Sequence, residues 1–334
     1  MDEHEKALCP CGSGKLYVDC CLPAHIARSQ VNQARAFNEE MNEVIRGRDF
    51  DSIEAMNAFA QAYCDRTNAE PKADFAGLSA EQVHLLINRP LEGTRDLLRL
   101  NDSFGTEDMA AIPVVENAVR FLRALAEAGP QKATAKGNLP REFARRLFDE
   151  IDDSRWKKYI NFRSETDSMT LQSLRLILTM GAWIRKHKGN FSLTRKGRKS
   201  AEEGFSAADY LDLFRIFTLD FNWRFQDRYP DFDIIQRGYL FALYLLHMKA
   251  REFVEQCSLA PHFIRAFPWV FTEAGWVRDD LYREVSGCFT VRFLERFCAY
   301  FGLIETRCQT EDPIDRRFSV RANRFYDKLL YWKI

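Results

Sequence analysis

Apolar residues recur at helical spacing along most of this chain, whereas runs of strictly alternating polar and apolar residues are short. Good helix formers with few breakers predict a helix over residues 25–50 and a second over residues 49–63. Ser79 is a predicted helix cap, and Pro90 stops the short helix that follows it. A loop is expected over residues 101–112. The pattern therefore predicts a helical linker region over residues 26–112.

Three helices are predicted next. Apolar residues between 114 and 125 repeat at helical spacing, and Gly129-Pro130 ends that helix. Pro140 suits the first position of a second helix, which is expected to run to Phe148. A third helix is predicted over about residues 168–180. Residues 133–139 between the first two helices are too few and too polar for another one.

A β-hairpin should follow the third helix. Gly189-Asn190 separates two strand-like runs, as expected of a two-residue hairpin turn. Phe191-Ser192-Leu193 alternates as a half-buried strand does. Thr194 then caps a helix that ends at residue 203. Three helices followed by a hairpin is the order of a winged helix-turn-helix, which the sequence predicts for residues 113–203.

Aromatic side chains are dense over residues 204–285, again at helical spacing. A helical domain with an aromatic core is predicted there, and a platform on which nucleic-acid bases stack is the alternative. Residues 286–334 repeat the order helix, hairpin, helix, which predicts a second winged-helix-like unit. The predicted fold class is mainly α, with a small N-terminal knuckle and short β-hairpins.

Charge and hydropathy limit the classes of function. Lys plus Arg and Asp plus Glu both number 48, so a nucleic-acid site must be a local patch. The longest apolar run, over residues 239–246, is far shorter than the roughly 20 residues of a membrane span. The first five residues are acidic, unlike a secretory signal. We therefore expect a cytoplasmic protein that does not contact a membrane.

Four of the nine cysteines lie close together near the N-terminus. Cys9 and Cys11 flank a proline, eight residues follow, and Cys20 and Cys21 are adjacent. Two close pairs can converge on one tetrahedral ion, and four thiolates suit Zn²⁺. Two alternatives stay open: His25 takes the place of Cys21, or the segment is a cysteine-rich tail without metal.

The segment Cys-Pro-Cys-Gly-Ser-Gly-Lys-Leu-Tyr-Val-Asp-Cys-Cys resembles the SEC-C motif, best known from the tail of the SecA translocase. The resemblance covers about 25 residues and implies Cys9, Cys11, Cys20 and Cys21 as the metal ligands. Residues 133–139 and 193–198 resemble stretches of uncharacterised bacterial proteins that join such a knuckle to winged-helix regions. That second resemblance extends loosely over the chain and implies a fold without a known activity.

The third predicted helix is the candidate reader of duplex nucleic acid. Gln172, Arg175 and Thr179 fall three and four residues apart on one polar face. The hairpin turn and the helix after it add a dense run of basic residues: Arg185, Lys186, His187, Lys188, Arg195, Lys196, Arg198 and Lys199. The sequence thus predicts a helix in the major groove and a wing on the phosphates.

Two other functions compete with nucleic-acid binding. In the first, the chain is an adaptor whose knuckle and winged helices bind proteins, such as chaperone or ribosome components by analogy with the SecA tail. In the second it is an enzyme, but no Ser-His-Asp, Cys-His or phosphate-loop constellation stands out in the sequence. A four-thiolate site also leaves no open position for catalysis. The protein is therefore expected not to be an enzyme.

Overall fold

Helices make up most of the computed structural model, which describes residues 8–9, 11, 13–17, 20–152, 157–273, 281–309 and 317–334. The predicted mainly helical class, with its knuckle, short strands and aromatic-rich helices, is confirmed. Among these described residues, none of the helices is long and apolar enough to cross a bilayer.

The α-helices, in chain order, are α1 (Leu22–Arg46), α2 (Ile53–Ala69), α3 (Ala80–Asn88), α4 (Thr106–Met109), α5 (Pro113–Ala128), α6 (Arg141–Ile151), α7 (Met169–Met180), α8 (Arg195–Glu203), α9 (Ala207–Arg215), α10 (Asp233–Arg237), α11 (Tyr239–Lys249), α12 (Ala260–Ala266), α13 (Val270–Glu273), α14 (Leu281–Phe289) and α15 (Arg324–Leu329). The strands are β1 (Leu98–Leu100), β2 (Gln131–Lys132), β3 (Ile184–His187), β4 (Asn190–Leu193), β5 (Val254–Glu255), β6 (Ile304–Cys308), β7 (Phe318–Ala322) and β8 (Leu330–Trp332). Two π-helical segments continue α9 and α14, at Ile216–Asp220 and Thr290–Ala299. The predicted loop over residues 101–112 is wrong in part, because it contains α4.

The chain divides into two compact units, each discontinuous in sequence. One unit takes its residues from 1–99, 229–293 and 332–334, and the other from 100–228 and 294–331. Each unit therefore contains parts of several segments that the sequence analysis treats as domains. The five-segment division stays a prediction.

Local signals explain the helices α5 to α7 in the second unit. Pro113 begins α5, whose buried face includes Phe121 and Leu125, and Gly129 ends it with a φ of 70°. Pro140 lies just before α6, at its cap. The Ser168 hydroxyl accepts a hydrogen bond from the Leu171 amide at the start of α7. The three helices predicted from spacing and capping are confirmed.

The predicted hairpin and its capped helix are confirmed, but the turn consists of Lys188 and Gly189, since Asn190 pairs with His187 as the first residue of β4. Strands β3 and β4 are antiparallel, with Ile184 opposite Leu193, and β2 pairs with the other edge of β4. The order across this sheet is β2-β4-β3. The Thr194 hydroxyl caps α8 by accepting from the Gly197 amide at 3.0 Å. A Cβ at Gly197 would lie 2.0 Å from the carbonyl oxygen of Trp183, so only glycine allows α8 this close to the hairpin.

The aromatic segment contributes buried rings to both compact units. Tyr210, Phe214 and Phe217 are buried in the second unit, where the Tyr210 hydroxyl donates to the Phe301 carbonyl at 2.8 Å. Phe241 is buried in the first unit. Burial of these four rings supports the prediction of aromatic cores. The boundary between the two units lies between residues 228 and 229.

The second hairpin repeats the hydrogen bonds of the first. Strands β6 and β7 are antiparallel, with Ile304 opposite Ala322. The residue before each hairpin donates its amide to the helix carbonyl five positions earlier, at 3.0 Å for Trp183 and 2.8 Å for Leu303. Asn323 then caps α15 as Thr194 caps α8. The turn of this second hairpin, residues 310–316, lies outside the described residues.

Candidate metal centre and nucleic-acid interface

The four N-terminal cysteines converge on one point. Their sulfur atoms all lie within 4.8 Å of one another. The sulfur of Cys20 is 3.5 Å from that of Cys11 and 3.9 Å from that of Cys21. Four thiolates about 2.3 Å from a tetrahedral zinc would have sulfurs about 3.8 Å apart. The cluster therefore has the donor set and the spacing of a four-thiolate metal site.

Backbone hydrogen bonds fold the knuckle so that its two cysteine pairs meet. The Cys9 amide donates to the Lys15 carbonyl at 2.7 Å, which reverses the chain through Gly14 with its φ of 73°. The Tyr17 carbonyl then accepts from the amides of Cys20 and Leu22, at 3.2 and 3.0 Å. Helix α1 begins directly after Cys21. The knuckle is thus built by a reversed loop on one side and a helix start on the other.

His25 is not part of the cysteine cluster. It lies one turn into α1, and its Nδ1 atom is 2.8 Å from the Tyr17 hydroxyl. The rings of these two residues are 5.6 Å apart. Cys21, not His25, belongs to the set of four candidate ligands. The alternative in which the histidine replaces Cys21 therefore finds no support.

Hydrogen bonds within the cluster distribute the protons unevenly. Hydrogen bonding from Ser13 lowers the pKa of the Cys11 thiol to about 6. Hydrogen bonding with Cys9 raises the pKa of the Cys21 thiol to about 12. Without a cation, the raised pKa values of Cys20 and Cys21 keep these two thiols protonated at neutral pH. Metal binding requires thiolates and so releases those protons.

The predicted reading face of α7 is buried. Gln172 is 9% exposed and Arg175 is 7% exposed. The Arg175 guanidinium is held by the fully buried Glu165 carboxylate at 2.8 to 3.0 Å. The Gln172 side-chain oxygen accepts from Gln226 at 2.6 Å, and the Thr179 hydroxyl donates to the Arg175 carbonyl at 2.7 Å. Gln172 and Arg175 are thus bound to other parts of the protein, and the half-buried Thr179 is bound to its own helix, so the structure gives no support to base reading by these side chains.

The wing keeps its charges exposed. Arg185, Lys186, His187 and Lys188 are all exposed, whereas Ile184 at the start of β3 is buried. No carboxylate lies within ion-pair distance of these cations among the described residues. The predicted basic wing thus forms an uncompensated positive surface.

The basic residues of α8 differ from those of the wing. Lys196 is half-buried, binds the Asp212 carboxylate at 2.7 Å and lies 3.6 Å from the centre of the Trp183 ring. Lys199 is 3.8 Å from Glu203. Arg195 and Arg198 are exposed. Four cations of α8 lie close to the wing in the sequence. Two of them, Lys196 and Lys199, make contacts within the protein.

Two exposed lysines near the wing, Lys132 and Lys136, are not among the residues that the sequence predicts for the site. Lys132 lies on β2, and Lys136 lies in the turn that follows it. Strand β2 is only two residues long, too short for an alternation pattern to reveal it. A hairpin of β3 and β4 alone would leave one edge of β4 unpaired. That unpaired edge is the signal for a third strand, and β2 occupies it.

Two family models match separate stretches of the chain. One, described as the SEC-C motif, matches residues 6–23, and the other, described as the Y4jL N-terminal domain, matches residues 110–206. The first confirms the motif predicted from the cysteines. The second covers α5 to α8 together with β2, β3 and β4. No curated protein and no solved structure gives a significant match. The chain is thus similar to two described families over less than half of its length.

Proposed function

We propose that this chain is a zinc-binding protein without enzymatic activity that binds nucleic acid through a winged helix. In this proposal the contacts are to backbone phosphates and not to base edges. We place the protein in the cytoplasm, where reducing conditions keep four thiolates available for a metal.

The SEC-C match and the four-cysteine cluster support the metal site. Zinc suits it because a closed tetrahedral thiolate site is its usual structural environment. Cys11→Ser should abolish binding of one zinc ion per chain, measured by elemental analysis after dialysis. Apparent binding free energies of structural zinc sites are on the order of 10 kcal/mol or more. The variant should therefore lose the fold of the cysteine knuckle and keep the two cores. Full zinc content in the variant would contradict the assignment.

The element order supports a winged helix. The second unit runs α5, β2, α6, α7, β3, β4, and the strands lie in the order β2-β4-β3. A short strand after the first helix pairs with the second strand of the hairpin, as in winged helices. Strands β3 and β4 would then form the wing.

The uncompensated charge of the wing is the observation that carries the proposal. The chain as a whole is neutral, so an exposed group of cations without carboxylates is a local excess. Lysines that neutralise phosphates release counterions, which makes affinity depend on salt and not on sequence. Since Gln172 and Arg175 are buried, base reading by α7 has no support.

A salt titration of duplex binding tests this proposal. Lys186→Ala with Lys188→Ala should lower the affinity for unrelated duplexes alike and reduce the slope of log K against log salt by about 2 units. The matched control is Arg145→Ala with Arg146→Ala, which removes two exposed cations that already bind carboxylates. An unchanged slope in the wing variant would remove the proposed interface.

A protein-docking role is the second candidate, and the knuckle surface favours it. Leu8 and Leu16 pair with each other by a β-bridge beside the cysteines, yet they are 69% and 36% exposed. Exposed apolar side chains next to a rigid metal site suit a protein partner. If duplex binding is absent, co-sedimentation with purified ribosomes that is lost in Leu8→Ser with Leu16→Ser would favour this adaptor role.

A further inference from the structure

We infer that the turn at residues 134–138, between β2 and α6, is a binding site for a backbone phosphate held by Lys136 and Lys186, and that Lys132 on the adjoining edge strand β2 binds a neighbouring phosphate. This inference rests on the proposed function and names residues outside the wing that carry it.

The turn leaves backbone donors without acceptors. The Thr134 amide donates to the Asn138 carbonyl at 2.8 Å, and the Gly137 amide donates to the Thr134 carbonyl at 2.8 Å. The Asn138 amide donates to the Thr134 hydroxyl at 3.0 Å. The amides of Ala135 and Lys136 have no acceptor among the described residues, and both residues are exposed. Successive amide groups at such a turn can bind an anion.

A lysine from the wing reaches the same turn. The Lys186 ammonium nitrogen lies 3.0 Å from the position that a Cβ on Gly137 would occupy. Gly137 has a φ of 82°, so glycine both permits the turn and leaves room for the ammonium group. Lys136 precedes this glycine and is itself exposed. The ammonium group of Lys186 therefore reaches an exposed turn that also carries Lys136 and the unpaired amides of Ala135 and Lys136.

The other face of the sheet carries a second group of cations, because Lys186 is opposite Phe191 and so projects from the face opposite to Lys132. Lys132 is opposite Asn190 on β4, and Asn190 is opposite His187 on β3. Opposite residues share a sheet face, and Arg185 lies two residues before His187 on the same face. Strands about 4.8 Å apart and alternate residues about 6.8 Å apart spread these side chains over an area of roughly 7 by 10 Å. That area accommodates more than one phosphate.

The composition of the surface favours nucleic acid over a lipid membrane. Peripheral membrane binding adds apolar side chains that enter the bilayer. None of the exposed large hydrophobic residues in the described chain falls within residues 131–138 or 184–193. Cations without apolar neighbours suit a phosphodiester backbone in water.

Lys132→Ala with Lys136→Ala tests the inference, because both side chains are exposed and their removal leaves the core intact. The probe is a short fluorescein-labelled DNA duplex, used in two unrelated sequences with the full-length protein. The slope of log K against log salt should fall by about 2 units, and affinity at ~0.1 M salt by about 8-fold per lost phosphate contact. Arg145→Ala with Arg146→Ala is again the charge-matched control. Gly137→Ala, with its Cβ against the Lys186 ammonium, should also weaken binding.

Each other outcome has a defined meaning. If Lys132→Ala with Lys136→Ala keeps the parent slope while the Lys186 and Lys188 variant loses it, the turn is no phosphate-binding site and the proposed function stands. If the parent protein binds neither duplex, the proposed function and this inference both fail. Equal losses in the control would show that only total charge matters and would overturn the inference. Binding to phosphatidylserine vesicles without duplex binding would also overturn it.

Discussion

The two hairpins of the second unit share a backbone framework and differ in surface charge. Ala182 and Gly302, which precede the hairpins, both have left-handed backbone, with φ values of 57° and 69°. Their carbonyl groups accept from the capping side chains, at 2.6 Å from Thr194 and 2.8 Å from Asn323. The same hydrogen bonds thus fix how each hairpin meets its helices.

The exposed positions of the two hairpins carry different chemistry. Arg185 on β3 has no carboxylate partner among the described residues. The position that corresponds to it on β6 is Glu305, which binds Arg321 on β7 at 2.8 Å. Buried and capping positions therefore set the hairpin framework, while the exposed positions differ: they make the first hairpin positively charged and pair opposite charges at Glu305 and Arg321 of the second.

The close approach of Gly197 to the hairpin distinguishes the first framework from the second. Substitution of this glycine should cause the largest loss of stability. Gly197→Ala places a Cβ against the Trp183 carbonyl, which should cost roughly 3 kcal/mol of unfolding free energy. The corresponding residue in the second framework, Tyr326, already has a large side chain and is buried. Urea unfolding measures the loss. Arg198→Ala, exposed on the same helix, is the control and should stay within about 0.5 kcal/mol. Parent stability in the glycine variant would disprove the tight contact.

Removal of either helix cap should cause a smaller loss of stability, of similar size in the two hairpins. Thr194→Ala and Asn323→Ala each remove a helix cap and a hydrogen bond to the left-handed residue before the hairpin. Each should lower the unfolding free energy by roughly 1–2 kcal/mol. Hydrogen exchange at α8 and α15 would locate the loss. If only one variant loses stability, the two frameworks are not equivalent.

Reversal of one charge on the second hairpin should change stability and duplex affinity the least. Glu305→Lys replaces the balanced pair by a cation at the position that corresponds to Arg185. The pair is largely exposed, so stability should change by less than about 1 kcal/mol. Duplex affinity should rise by less than the about 8-fold that one phosphate contact contributes at ~0.1 M salt. Chemical denaturation and the duplex titration measure the two quantities. A larger gain would show that the second hairpin lies in the interface.

Sequence alone determined the knuckle, because its four cysteines and the turns between them lie within 13 residues of chain. It also determined the helices α5 to α7 and the first hairpin, whose caps and turns are local signals. Apolar periodicity, the Thr194 cap and Gly189 in the hairpin turn each act within a few residues, so no distant contact was needed to predict these elements.

Tertiary structure decided which polar residues remain available for binding. Arg175 has a polar position on a helix, but Glu165, ten residues earlier, neutralises and buries it. Gln172 is engaged by Gln226, which lies 54 residues away. Lys186 and the turn at Gly137 come together only because β2 and β3 flank β4. Helical periodicity gives the direction of a side chain about its own axis, whereas burial depends on which distant segment packs against that face.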